Sequence, residues 1–454
     1  MFIEKDINRF NRWIPYILAI ALFIESLDAT IILTALPSMA SDLHVNPLML
    51  KFAITGYLLS VALFIPMSSW LTQRFGPRPV FLWALGLFLL GSLICGMAPN
   101  LVILTAGRII QGLGGAMMSP VAMSVILNIV PKAGLSHVLS WATIPSSIGP
   151  MLGPLFGGII VTYFSWRWIF FVNIPIGLMG MVFASIIIPD AVKDQKASFD
   201  WGGFILLSLG ILCLLGIIES LGTSFMEYKL ELVMMTLCVG FFGLYVHHAH
   251  KRPFALIPLD LFKHPIFSRV AITQVLFATA FGGLGLITPM FLQLALQVSP
   301  LVAGRLLMLT GLAMIISKPC NSPAIRCLGL PKWMIINFMS TFFLLVLLSM
   351  VSKETPLWVI ACILFLQGGS VSILFMNIIY LLYRDVPESL SRYATSVGGL
   401  LTKLSFCTGV ALTAVLLSML THQEGSFDVA AFKHVYMCLA IQVGVALWVI
   451  KKVF

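Results

Sequence analysis

The sequence predicts an all-α integral membrane protein of fourteen spans, arranged as two six-helix bundles with two helices inserted between them. Three observations carry that prediction. Hydrophobic residues make up 59% of 454 positions and charged residues 10%, against roughly 45–50% and 25% in soluble domains. Apolar runs of about 20 residues, each long enough to cross a hydrocarbon core about 30 Å thick, recur along the chain. The basic residues are one-sided: about 18 of the 27 Lys and Arg fall in loops on the side of the N-terminus, about five on the other side and about four inside spans.

The first run opens near Trp13 behind Lys5, Arg9 and Arg12. It is too long for a signal peptide and lacks a small-residue cleavage site, so it is read as a retained span. Five more spans follow near 50–71, 79–98, 101–129, 138–162 and 168–188, closing a first bundle over 1–188. The polar stretch Pro189 to Asp200, with Lys193, Asp194 and Lys196, breaks the pattern. Two inserted spans, near 202–220 and 231–249, and a second basic break at His247 to His264 fill 189–266. Six further spans near 267–294, 300–321, 333–351, 357–382, 393–420 and 433–452 make a second bundle over 267–454. An even number of crossings puts both termini on the cytoplasmic side of an inner (plasma) membrane. Six-plus-six duplication places a binding site between repeats at the bilayer midplane. A short echo supports it: Arg74-Phe75-Gly76-Pro77-Arg78 after the second span and Arg326 to Lys332, containing Gly329 and Pro331, after the tenth.

Composition also excludes functions. The net charge of +10 orients the protein in the bilayer and implies no nucleic-acid partner. Eight cysteines lie singly, without a C-x-x-C pair or zinc spacing, and read as packing residues. His247, His248 and His250 meet the basic stretch at a span end, with no carboxylate nearby in sequence, and read as interfacial rather than metal-binding. No phosphate loop, Ser/His/Asp grouping or HExxH motif is present, so neither a built-in ATPase nor a membrane enzyme is expected. No cofactor and no metal are expected, and the protein is expected to act as a monomer.

An ionisable side chain at membrane depth costs roughly 2.5–3.5 kcal/mol on insertion scales, so each one needs a partner or a use. Glu25 and Asp28 lie three apart in the first span, which sets both carboxylates on one helix face about 5–6 Å apart. Desolvation and mutual repulsion leave such a pair able to take up a proton, as a coupling site requires. The alternative is a polar pair satisfied by neighbouring helices. Arg108 and Gln111 are three apart in the fourth span, and the guanidinium needs a carboxylate, carbonyls or a wet cavity. Asp28 and Glu25 are its obvious partners, either in a structural ion pair or in gated proton release. Gln111, with Lys318 in the tenth span and Lys403 in the thirteenth, is a candidate for lining the substrate cavity, although either lysine could instead snorkel to an interface. In the fifth span Gly149, Pro150, Gly153, Pro154, Gly157 and Gly158 crowd helix breakers together, along with Pro145. The glycines at 149, 153 and 157 form a smooth stripe for close helix approach, and the prolines suggest a hinge. A plain glycine contact with no moving part is the other reading.

Taken in order, these stretches resemble the fourteen-span drug/proton antiporter branch of the major facilitator superfamily over nearly the whole chain. Leu27-Asp28-Ala29-Thr30 through Pro37 is similar to its first-span motif, and Arg108-Ile109-Ile110-Gln111-Gly112-Leu113-Gly114-Gly115 to its fourth. Gly149-Pro150 through Gly157-Gly158 resembles the fifth-span signature of exporters, and Trp166-Arg167-Trp168 through Gly177 the approach to the sixth. The resemblance implies the major facilitator fold, a proton role for Asp28 and Arg108, and efflux of small amphipathic compounds by alternating access. Two departures stand out. Ser69 and Gln73 occupy loop positions where the family favours Gly and Asp, so Gln73, Arg74, Gly76 and Arg78 form a cytoplasmic gate loop without its acidic member. Glu25 and Lys403 replace uncharged polar residues. The expected function is proton-coupled antiport across the inner membrane; a proton-coupled metabolite importer or facilitator, or a transport-inactive membrane sensor, are the alternatives.

Overall fold

The computed structural model describes residues 14–129, 132–188, 199–220, 228–252, 255–387, 390–424 and 427–454. Most of the predicted linker 189–200 lies outside them, as do Lys5, Arg9 and Arg12. Every regular element among the described residues is helical. In chain order these are α1 (Ile14–Asp42), α2 (Lys51–Phe75), α3 (Pro77–Gly96), α4 (Leu101–Ile129), α5 (Lys132–Tyr163), α6 (Asn173–Ile187), α7 (Trp201–Ser220), α8 (Tyr228–Lys251), α9 (Pro265–Met290), α10 (Pro300–Ile316), α11 (Lys318–Leu328), α12 (Leu330–Ser349), α13 (Leu357–Arg384), α14 (Ser391–Glu424) and α15 (Val429–Lys451).

Among the described residues twelve helices are long and apolar enough to cross a membrane, and α10 with α11, bent by 51°, make a thirteenth when the pair is counted as one span. The apolar described part of α5, Ile148–Tyr163, stands where the fifth span was expected, which agrees with a fourteen-helix count. One of the predicted spans is interrupted. The tenth is not one straight helix: Lys318-Pro319 follows Ser317, and Pro319 removes an amide donor and crowds the carbonyl one turn back, which kinks the rod there. The sixth span, expected from 168, runs Trp168–Ile187, its first turn Trp168–Phe171 joined to α6 through Val172, whose backbone is helical.

The chain forms two compact units. The first holds Met1–Phe199 with Ser299–Leu312, and the second holds Asp200–Val298 with Ala313–Phe454. In the first, the glycine stripe of α5 lies on α1. A Cβ at Gly149, Gly153 or Gly157 would strike the hydroxyl of Ser26, Thr30 or Thr34, three residues spaced four apart on α1. The other face of α5 meets the start of α10, where a Cβ on Gly158 would lie 2.5 Å from the Pro300 carbonyl. Small residues on α3 and α4 act likewise: a Cβ on Gly91 would sit 2.5 Å from the Gln111 backbone nitrogen, and one on Gly112 2.6 Å from the Tyr57 carbonyl. Close approach brings the polar face of α4 against α1, α2 and α3.

In the second unit, α9 packs along α14 and α15, and α12 along α13 and α15. The inserted helices α7 and α8 pair with each other, with Cys238 of α8 3.6 Å from the Gly210 carbonyl. Leu230, Leu232, Val233, Met235, Leu237 and Val239 of α8 are exposed, as suits a face solvated by lipid. The start of α7 and the end of α8 are tied by Asp200, which accepts from His248 Nε2 at 2.7 Å, Gly203 N at 3.0 Å and Leu256 N at 3.3 Å. Burial alone would raise the Asp200 carboxyl; these donors outweigh it and hold the group below the usual carboxylate range. His248 therefore has a carboxylate partner, 48 residues away in sequence.

Backbone geometry confirms the loop echo. Gly76 (φ 90°, ψ 156°) ends α2 and Gly329 (φ 78°, ψ 151°) ends α11, each donating to the carbonyl four residues back and each followed within two residues by proline. Only glycine adopts that region without strain.

Candidate functional site

The polar centre of the first unit is built on α1, α3, α4 and α6. Arg108, 1% exposed, donates from Nη1 to Asp28 Oδ2 at 2.5 Å and to Gln111 Oε1 at 2.6 Å. Its Nε reaches the Ala53 carbonyl at 3.4 Å, and its guanidinium lies over the Tyr57 ring at 4.2 Å and near the Phe170 ring at 6.0 Å. Asp28 has no exposed surface. Its other oxygen, Oδ1, accepts from Gln111 Nε2 and from Asn173 Nδ2, both at 2.8 Å. Ser92 Oγ closes the network, accepting from Gln111 Nε2 at 2.9 Å and Asn173 Nδ2 at 3.3 Å while donating to the Phe88 carbonyl at 3.0 Å. Three donors from three side chains thus converge on one carboxylate in a site closed to solvent. A charge pair so enclosed is held by geometry and hydrogen bonds together, and removing one partner leaves an uncompensated buried charge.

Glu25, 9% exposed, faces a different group: Oε2 accepts from Ser119 Oγ on α4 at 2.6 Å. The two acids thus meet α4 at different depths, Asp28 at Arg108 and Gln111, Glu25 two turns further along at Ser119. Gln111, expected to line a cavity, has no exposed surface and serves as the bridge between Asp28, Arg108 and Ser92. Lys318 is exposed at the α10–α11 bend, and Lys403 is partly exposed on α14. In the predicted gate loop, Gln73 and Arg74 are exposed, Gly76 is buried, and Arg78 donates to the Ser185 carbonyl at the end of α6. Side-chain facts at Pro145 lie outside the described residues; Pro150 and Pro154 are contained within a single helix, α5.

Sequence reasoning missed Ser92, Ser119 and Asn173 as members of the site. Asn173 sits in a stretch otherwise almost wholly apolar, and a lone amide at membrane depth is the signal that would have found it. The other end of that stretch is anchored too. Arg167 bonds Asp42 at 2.5 Å and the Ala98 carbonyl at 3.3 Å, and Trp166 Nε1 donates to Asp42 at 2.9 Å. The turn Trp168–Phe171 runs from this anchor to Asn173, placing Phe170 beside Arg108 on the way. Among the described residues no group of three or more His, Cys, Asp or Glu is arranged to hold a metal ion.

A polytopic all-helical fold with an enclosed acid–base pair at its polar centre is that of a multi-pass membrane transporter. The chain belongs to the Major Facilitator Superfamily, whose profile it matches over residues 18–445. It is 33% identical over 441 residues to "Putative multidrug resistance protein MdtD" of Salmonella typhimurium, covering 95% of this chain and 92% of that one. The Citrobacter koseri protein of the same name is 33% identical over 449 residues, covering 98% and 95%. Solved structures with the same fold include a POT family transporter in complex with 5-aminolevulinic acid (TM-score 0.71, 13% identity, 96% and 95% covered) and a D-xylose-proton symporter (TM-score 0.68, 13% identity, 95% and 96% covered).

Proposed function

We propose that this protein exports small amphipathic compounds or drugs across the inner membrane by proton antiport, with both termini cytoplasmic and no covalent chemistry of its own. The observation that carries the reading is the enclosed Asp28–Arg108–Gln111–Asn173 network. With Asp28 ionised, the pair with Arg108 is neutral overall and saturated by hydrogen bonds. A proton on Asp28 cancels the carboxylate, weakens its hold on Arg108 and leaves the guanidinium to Gln111, Ala53 and the Tyr57 ring. The change in charge falls on α1, the helix that rides on the glycine stripe of α5, so protonation is coupled to the contact we assign to hinge motion. Gly149, Pro150, Gly153, Pro154, Gly157 and Gly158 are that hinge, and Gln73, Arg74, Gly76 and Arg78 the cytoplasmic gate. The bundles of 1–188 and 267–454 alternate access, with 189–266 as the inserted pair. Each proton moved down 100 mV supplies about 2.3 kcal/mol. The names of the MdtD relatives support drugs as cargo, and the likeness of the fifth span to exporter signatures supports the outward direction.

The test uses purified protein in vesicles with an imposed pH gradient, a pH-sensitive dye, and a panel of cationic, neutral and anionic amphiphiles. Cargo-triggered collapse of the gradient, lost in a well-folded Asp28→Asn variant, is the expected result. Cargo movement with the gradient would mark an importer. Silence of the wild-type protein across the panel would mark a sensor, and unimpaired exchange by Asp28→Asn would remove Asp28 from coupling.

A further inference from the structure

The two halves of the chain can be aligned residue by residue, and the alignment shows what became of the proton site in the second half. The only non-glycine residues with positive φ among those described are His44 and Gln297, and the glycines with positive φ are Gly76 and Gly329; each pair is 253 residues apart. Helices α3 and α12, Pro77–Gly96 and Leu330–Ser349, have the same length and the same spacing. The π-helical turn Phe291–Ala295 at the end of α9 adds one residue, so upstream of it Pro37 corresponds to Pro289. Helices α4 and α13 open at Leu101 and Leu357 after a longer loop, which pairs Gln111-Gly112 with Gln367-Gly368.

Packing bears the alignment out twice. Gly114 of α4 fits against Ala84 and Phe88 of α3; its counterpart Ser370 donates to the carbonyl of Asn337 at 2.9 Å and meets the hydroxyl of Thr341 at 2.8 Å, the counterparts of Ala84 and Phe88. The hydrogen bond from Ser119 to Glu25 is replaced by a ring contact between their counterparts, Phe375 and Phe277, with centroids 5.1 Å apart.

At the matching positions the charges are gone. Ala280 stands where Asp28 does, Leu364 where Arg108 does and Leu345 where Ser92 does, while the glutamine is kept. Gln367 is 4% exposed, and among the described residues neither its Oε1 nor its Nε2 has a hydrogen-bond partner. A buried amide left unsatisfied costs about 1–3 kcal/mol. Two turns along the same helix, about 12 Å at 1.5 Å per residue, Phe375 joins Phe281 of α9 and Phe406 of α14 in a triangle with centroids 5.3, 5.6 and 5.7 Å apart. All three rings are partly exposed. Lys403 stands one turn before Phe406 and disfavours a cation beside it.

We propose that the second unit's counterpart of the proton site is a cargo site, in which the Phe281–Phe375–Phe406 triangle seats an aromatic ring and the Gln367 amide bonds an uncharged polar group at the other end. The cargo class is an uncharged, elongated aromatic amphiphile carrying an amide or hydroxyl. This assignment rests on the export reading above and deepens it.

The test is equilibrium binding to the full chain in lipid nanodiscs, using biphenyl-4-carboxamide, biphenyl, and a biphenyl bearing a trimethylammonium group in place of the amide. The carboxamide binds about tenfold more tightly than biphenyl, and the ammonium compound binds weakest. Gln367→Leu abolishes the margin between carboxamide and biphenyl while leaving biphenyl unchanged, and Phe375→Leu weakens both severalfold. Melting curves establish that each variant is folded; if Gln367→Leu melts early, Gln367→Met is read in its place. A margin that survives loss of the amide, tightest binding by the ammonium compound, or no binding at all would overturn the assignment. Binding is measured without a pH gradient, so a site that behaves as stated in a protein that exchanges no protons refutes the export reading and leaves this one standing.

Discussion

At the scale of single residues, the behaviour of Asp28 is set by its three donors. Arg108 supplies charge, whereas Gln111 and Asn173 supply direction, each from 2.8 Å on the same oxygen. A hydrogen bond to a charged group contributes about 1.5–3 kcal/mol. Asn173→Leu leaves the enclosed carboxylate of Asp28 one donor short, so cargo-driven proton exchange should fall at least about tenfold in that variant while a melting curve shows the protein still folded; unimpaired exchange would make Asn173 a packing residue. Asp28 and Arg108 were legible in the sequence because charge at membrane depth is costly enough to demand a reason. Ser92, on α3, and Ser119, two turns beyond Gln111 on α4, are uncharged and common in spans, so only the tertiary packing attaches them to the site, whereas the lone amide of Asn173 left a signal in the sequence. Gln111 was visible as a polar residue beside Arg108, but whether it faced a cavity or the bundle interior depended on how closely Gly91 lets α3 approach α4.

At the scale of elements, the α1–α5 contact shows why span positions were readable and their seams only partly so. Bilayer thickness fixes the length of an apolar run, which is why predicted and observed helices agree within a few residues. The stripe Gly149, Gly153, Gly157 was legible as a smooth face, but its complement on α1, the hydroxyl row Ser26, Thr30, Thr34, looked like ordinary span composition. Thr30 Oγ1 also bonds the Ser26 carbonyl at 3.1 Å and lies 3.4 Å from the Gly149 carbonyl, so the row has little room to yield. Gly153→Leu forces a side chain into Thr30 and the α1 backbone, and overpacking of this kind costs about 1–3 kcal/mol. In detergent the variant should melt well below the wild type. Gly240→Leu is the matched control, because nothing lies within 4 Å of a Cβ there, and it should melt with the wild type. Equal melting of the two variants would mean that the stripe does not hold α1. The bend at Pro319 marks the limit of such reading: a proline in an apolar run is visible, but its choice between a gentle kink and a 51° break is made by the neighbours that catch the freed carbonyls.

At the scale of the whole molecule, the chain uses one backbone plan twice and fills it with different chemistry. The plan lies in main-chain features that sequence comparison barely registers. His44 and Gln297 share a positive φ without sharing a residue type, and the turns at Gly76 and Gly329 share only a glycine, a following proline and basic neighbours. Sequence reading therefore caught the loop echo and stopped there. If both turns serve the same structural purpose, they should be equally intolerant of a side chain. With φ of 78–90° and ψ of 151–156°, a conformation open essentially to glycine, a side chain costs about 1–3 kcal/mol, and neither the buried Gly76 nor Gly329, where the nearest atom to a Cβ would be Pro331 Cδ at 3.9 Å, can avoid that cost by shifting its neighbours. Gly329→Ala has space for its methyl group, so any loss there isolates the backbone term. We expect Gly329→Ala to lower thermal stability by that amount and Gly76→Ala to lower it by at least as much, with proton coupling at saturating cargo unchanged in Gly329→Ala because its turn is remote in sequence from Asp28 and Arg108. A Gly329→Ala protein as stable as the wild type would show that the second turn is not held in the left-handed region, and the 253-residue correspondence would then rest on helix bounds and packing alone.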